Sequence, residues 1–112
     1  MGAVAEPPPL REPTFFILAA LAPGPLHGYG VIKAVEEMSG GRVRLRAGTL
    51  YGALERLHDG GLVEFAGESH DGGPPRRNYR LTARGSEALT RDAERLRANA
   101  DVALARLRER RT

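Results

Sequence analysis

The segment Ala47–Leu62 reads AGTLYGALERLHDGGL and carries two opposed faces. Leu50, Ala53, Leu54 and Leu57 recur at helical spacing, so one stripe of this predicted helix turns toward a core. Thr49, Gly52 and Arg56 form the opposite stripe, small or basic, with Tyr51 and Glu55 beside it. Gly60-Gly61 stops the helix, and the apolar alternation from Leu62 predicts a strand. A helix greasy behind, small and basic in front, and followed by a hairpin suits a probe of a DNA groove.

Working outward, Leu62–Ala66 and Asn78–Leu81 read as the two strands of that hairpin. Between them lies GESHDGGPPRR, whose Asp71-Gly-Gly-Pro-Pro75 run is a strong turn signal. Upstream, Arg42-Val-Arg-Leu-Arg46 alternates strictly and predicts a short half-buried strand. His27–Ser39 reads as a second helix, with Ile32, Val35, Tyr29 and Met38 inward and Lys33, Glu36 and Glu37 outward. A first helix is expected from Thr14 to the Pro23-Gly-Pro25 stop, with Phe15, Leu18 and Leu21 on one stripe, widened by Phe16 and Ile17. Residues 1–13, with Pro7-Pro-Pro9 and Pro13, read as a loose tail.

Thr82 occupies an N-cap position, and one long helix is expected from there to the end of the chain. Along it Leu89, Ala93, Leu96, Ala100, Ala103 and Leu107 are spaced 4, 3, 4, 3, 4. That spacing is an a/d heptad seam, which needs a partner: either its own domain or a second copy of the chain. We expect self-association, helped by the greasy first helix with Phe15 and Phe16, because twofold dimers are the commonest oligomers. The expected fold is mostly α with a small β-hairpin: a winged helix-turn-helix over residues 14–82 and a C-terminal dimerisation helix over 83–112.

With 112 residues the chain is long enough for one small core. The absence of cysteine excludes disulfides and thiolate metal sites. No apolar run approaches a membrane span of roughly 18 residues, and no signal peptide opens the sequence, so a cytoplasmic protein without membrane association is expected. The net charge is +3, and of 17 basic residues all but Lys33 are arginine. A coding bias accounts for such a preference as readily as function does, so position matters more than number. Arg76, Arg77, Arg80 and Arg84 cluster on the second hairpin arm and the start of the last helix. In a wing these would meet phosphates or a minor groove, although a solvated charged loop has the same composition.

The predicted helix starts at His27-Gly28 and Gly48-Thr49 are further candidate anion sites. His27, His58 and His70 lack metal-ligand spacing, and no phosphate loop or nucleophile elbow appears, so neither an enzyme nor a cofactor is expected.

The pieces PLHGYGVIK (Pro25–Lys33), GTLYGALERLHDGGLV (Gly48–Val63) and RRNYRLTARG (Arg76–Gly85) resemble, in order and spacing, the PadR family of bacterial transcriptional regulators. The resemblance spans about residues 14–85. It implies a winged-helix head, a homodimer built through the C-terminal helix, and repression of nearby promoters. It also implies response to a small aromatic or drug-like effector near the dimer interface. Carried over by position, His27 to Tyr29 open the second helix, Thr49 to Tyr51 begin the recognition helix, and Arg76, Arg77 and Tyr79 belong to the wing. Gly52 stands where family members often have proline, and the chain has no tryptophan for stacking a flat ligand.

The expected partner is double-stranded DNA with a palindromic operator. Thr49, Tyr51, Gly52 and Arg56 are placed at the major groove, with His27, Tyr29, Arg76, Arg77 and Arg80 around it. The alternative from another class is a winged-helix protein–protein adaptor that assembles through its heptad tail.

Overall fold

The computed structural model describes residues 8–70 and 72–110. The elements are α1 (Glu12–Leu21), β1 (Leu26–His27), α2 (Gly28–Met38), α3 (Ala47–Asp59), β2 (Val63–Ser69), β3 (Arg76–Leu81) and α4 (Ala83–Glu109). The strands form one antiparallel sheet in the order β1-β3-β2. This is a winged helix-turn-helix head from which a long helix extends.

The core is the meeting of four apolar stripes. Leu50, Ala53, Leu54 and Leu57 of α3 are buried, as their spacing requires. They pack in one cluster with Ile17, Leu18 and Leu21 of α1, Val31 and Val35 of α2, and Val63 and Tyr79 of the hairpin. Burying side chains of this size contributes about 1.5–3 kcal/mol each before the entropy of ordering them is counted.

Several boundaries differ from the sequence reading. Helix α1 begins at Glu12 rather than Thr14, because Pro13 sits in its first turn, where no N–H partner is needed. The expected tail is therefore shorter: Leu10 packs against the core, and its N–H donates to Asp92 Oδ1 at 3.4 Å. Residues 1–7 of that tail lie outside the described residues. On α2 the inward residues are Gly28, Val31 and Val35, while Tyr29 and Met38 are exposed. The stripe that packs on the core is Val31 and Val35, with Ile32 and Ala34 at its margin.

The predicted strand Arg42–Arg46 is not a strand. Its alternation is real, since Val43 is buried and Leu45 half-buried between exposed arginines. However, Val43 N–H bonds to Ser39 Oγ at 2.9 Å instead of to a neighbouring strand. The third strand is Leu26–His27, too short for any periodicity to reveal, paired with Tyr79 and Asn78. At the base of this connection Arg42 reaches Glu12 at 2.7 Å, and that hydrogen bond holds the Glu12 carboxyl below its ordinary pKa.

Helix α4 is not separable from the head at residue 83. Thr82 caps it, accepting from Gly85 N–H at 3.0 Å while donating to the Gly61 carbonyl at 2.6 Å. Thr82 N–H bonds to the Leu62 carbonyl at 3.1 Å. Gly85 is buried with its Cα against that same carbonyl, so any Cβ there would overlap the oxygen. Further along, Leu89 packs on the core, and the buried carboxylate of Asp92 is held by Arg95 at 3.0 Å. Beyond Leu96 the helix leaves the head, which accounts for a longest dimension of 62 Å.

A methyl group at residue 85 meets the Leu62 backbone carbonyl first, with the Leu81 side chain close behind. Gly85→Ala is expected to destabilise the protein by about 3 kcal/mol, seen as a lowered midpoint in chemical denaturation. An unchanged midpoint would contradict the close approach.

Candidate nucleic-acid interface

The exposed side of α3 carries Thr49, Tyr51, Glu55 and Arg56, with Gly52 half-buried between them. Arg56 lies back along the helix, its Nη1 3.6 Å from where a Cβ of Gly52 would stand. Gly52 therefore leaves a shallow surface that the guanidinium shares. The start of α3 has no side-chain cap, so its first N–H groups open outward from Arg46 onward.

Two neighbouring elements converge on this helix. The ring of Tyr51 rests on the start of α2, where a Cβ on Gly28 would stand 2.7 Å from its hydroxyl oxygen. His27 caps α2, with Nδ1 accepting from Gly30 N–H at 3.1 Å. A neutral ring that accepts at Nδ1 carries its hydrogen on Nε2. Arg76 Nη1 stands 3.4 Å from that Nε2, so two donors face the same space, with no carboxylate beside them among the described residues. The Arg76 guanidinium also lies 5.9 Å from the Tyr29 ring centre, and Tyr29 is 69% exposed. His27, Tyr29, Tyr51, Pro75, Arg76, Arg77 and Tyr79 line a single groove of about 400 Å³. None of them is acidic.

The wing is a twisted ribbon. Ala66 and Gly67 of β2 stand opposite the single residue Asn78 in a bulge, and Gly67 takes φ of +92°. Arg77 stacks over Phe65 at 5.2 Å from the ring centre. Arg80, expected with the other free cations, is instead held by Glu64, its cross-strand partner, at 2.7 Å. Arg56, Arg76 and Arg77 make no ion pair among the described residues.

The sequence reading proposes the outer face of α3 and the wing arginines for the interface and Gly28 as part of a helix start; it names neither the Gly28–Tyr51 contact nor Phe65. Gly28 carries no signal by itself, because its role depends on Tyr51, which is remote in sequence. Phe65 shares strand parity with Val63, which marks it as inward-facing, but its stacking partner Arg77 lies across the hairpin and no local pattern names it.

The seam residues of α4 are distributed unevenly. Leu89 lies on the head, whereas Ala93, Leu96, Ala100, Ala103 and Leu107 are exposed, Leu96 by 44% and Leu107 by 55%. Phe15 and Phe16 of α1 are half-buried, stacked edge to face at 5.7 Å. A small recess of about 170 Å³ joins them to Leu10, Asp92 and Leu96. Among the described residues no group of His, Asp and Glu has metal-site geometry, and no helix is long and apolar enough to cross a membrane.

A three-helix head, a β-ribbon wing and a following long helix define a winged-helix protein. The chain belongs to the transcriptional regulator PadR-like family, whose model matches residues 17–91. Members of this family are transcriptional regulators and not enzymes. Over 83 residues, 74% of this chain, it is 44% identical to an uncharacterized 37.1 kDa protein in transposon TN4556 of Streptomyces fradiae. The match spans only 22% of that relative.

A PadR family transcription regulator from Clostridium difficile shares the fold with a TM-score of 0.70 at 23% identity, over 87% of this chain and 99% of that one. Bacillus subtilis PadR in complex with operator DNA superposes with a TM-score of 0.63 at 27% identity, over 71% of this chain and 45% of that one.

Gly28→Ala is expected to expel the Tyr51 ring from the start of α2. The ring is half-exposed and can swing into solvent, so the stability cost should be about 1 kcal/mol. Loss of nuclear Overhauser contacts between Tyr51 and residue 28, with the fold retained, is the expected observation. Persistence of those contacts would contradict the packing.

Proposed function

We propose that this protein is a homodimeric, sequence-specific DNA-binding repressor, acting in the cytoplasm by occupying a palindromic operator. One observation carries the reading: donors from the cap of α2, from α3 and from the wing converge on a groove whose lining, among the described residues, holds no carboxylate. Such a surface is costly to leave unoccupied in a low-dielectric contact and is matched by a run of phosphates. The operator complex of Bacillus subtilis PadR supports the same assignment through kinship.

In this reading the N-terminal turn of α3 enters the major groove with Thr49, Tyr51 and Gly52 at the base edges. Arg56 reaches a base from the next turns. His27 Nε2–H and Arg76 share one backbone phosphate, and Tyr29 and Arg77 flank it. Arg80, engaged by Glu64, contributes less, although an exposed pair of this kind is weak enough to exchange.

The exposed seam of α4 supports dimerisation. A free helix with Leu96, Leu104 and Leu107 outward places apolar area in water that a second copy would cover. Half of the seam is alanine, so the helices would approach closely, with Phe15 and Phe16 supplying the larger contacts. A small aromatic effector would have to bind where both copies contribute, because the recess beside Leu96 is about 170 Å³ and ordinary ligand pockets start at about 300 Å³.

Two measurements test these roles. In fluorescence anisotropy on the promoter upstream of its own gene, Arg77→Ala should weaken binding to operator and random duplex alike and lower the salt slope by about one. Arg56→Ala should selectively weaken the operator, by about 1–3 kcal/mol. Equal losses on both duplexes would remove Arg56 from base recognition. Leu96→Glu should convert the dimer to a folded monomer in sedimentation, with operator affinity falling accordingly; an unchanged mass would place the dimer contact elsewhere.

A further inference from the structure

The inner face of the hairpin does not end where the core ends. Val63 and Tyr79 are buried, but Phe65, on the same face of β2, is 47% exposed. Its ring is nevertheless enclosed on several sides. His58 of α3 lies 4.6 Å away and Tyr79 lies 5.2 Å away, centre to centre. The Arg77 guanidinium covers it at 5.2 Å. The ladder places Arg77 opposite Glu68, which would be its natural ionic partner. No such pair forms among the described residues, and the Glu68 carboxylate lies 4.0 Å from His70 Nε2.

We propose that Phe65 is a positioning residue for DNA binding: its ring is the shelf that holds the Arg77 guanidinium ready for a backbone phosphate. The inference rests on the DNA-binding reading given above and adds to it a residue that touches no DNA. The chemistry favours stacking over pairing for this purpose. A carboxylate would occupy the N–H edges of the guanidinium, which are the groups a phosphate needs. A ring uses only the flat face and leaves the edge donors free. Stacking also confines a long side chain that would otherwise sample many rotamers before binding. His58 and Tyr79 brace the ring, so the shelf is fixed to both the recognition helix and the sheet.

The test is a double-mutant cycle read by anisotropy on mixed-sequence duplex DNA at low salt, using the full chain. The Arg77 contact is independent of sequence, so no operator is needed. Phe65→Leu keeps an apolar side chain on the strand but removes the π face, and should weaken binding about two- to fivefold. In the Arg77→Ala background the same change should have no further effect. Phe65→Tyr should restore wild-type binding. Thermal unfolding of each variant confirms that it is folded; should Phe65→Leu not fold, Phe65→Met takes its place in the cycle.

Wild-type affinity for Phe65→Leu, or equal losses from Phe65→Leu with and without Arg77, would overturn the shelf while leaving DNA binding intact. Failure of the wild-type protein to bind duplex with a salt dependence would overturn the DNA-binding reading, and the shelf with it.

Discussion

The contact on which the geometry depends is the one between Gly85 and the Leu62 carbonyl. Leu62 leads into β2, and Thr82 follows β3, so the Thr82 N–H to Leu62 carbonyl bond closes the hairpin one step below the Val63–Leu81 pair. The same threonine caps α4 and ties it to Gly61 at the end of α3. Three directions are thereby set at one joint: α3, the wing and the long helix. Only a residue without a side chain permits the approach, and the helical backbone at Gly85 needs no unusual dihedral. The requirement is space alone.

Charge is distributed with comparable economy. A net charge of +3 gives little reason to expect a polyanion partner. Five of the sixteen arginines face a carboxylate: Arg42 with Glu12, Arg44 with Glu36, Arg80 with Glu64, Arg95 with Asp92 and Arg106 with Glu109. Most of these pairs are exposed and contribute little to stability. Among the described residues Arg56, Arg76 and Arg77 make no such pair, nor do several arginines of α4. What sets the face between α2, α3 and the wing apart is that Arg76 and Arg77 line a groove whose described lining holds no carboxylate. The arrangement, rather than the total, distinguishes that face.

Legibility in the sequence tracked the range of the interactions involved. The α3 core stripe, the Gly60-Gly61 stop and the Thr82 cap depend on neighbours within a turn or two, and all three were readable. The Arg42–Arg46 segment misled because alternation reports only which side chains face inward; a strand also needs a partner edge, and Ser39 supplies the hydrogen bond instead. Pro13 misled in the other direction, being as compatible with a helix start as with a tail. Leu26–His27 became a strand only because β3 lies alongside. The Gly28–Tyr51 and Phe65–Arg77 contacts join residues distant in the chain, and no local pattern encodes them.

The two ends of α4 answer to different demands, and their compositions differ accordingly. Gly85, Leu89 and Asp92 serve the head: one admits a carbonyl, one fills the core margin, and one receives the Leu10 N–H and Arg95. Past Leu96, which still borders the recess beside Phe15 and Phe16, the helix is largely exposed, yet the apolar spacing continues through Ala100, Ala103 and Leu107. Intrinsic propensity alone would hold such a helix in water only marginally, since isolated helices of this size gain most of their stability from packing. In the proposed dimer the seam provides that packing, and the rigid joint at Gly85 transmits the dimer axis to the wing and recognition helix. The separation between two operator half-sites would then be set by the length of α4 that each copy leaves uncovered.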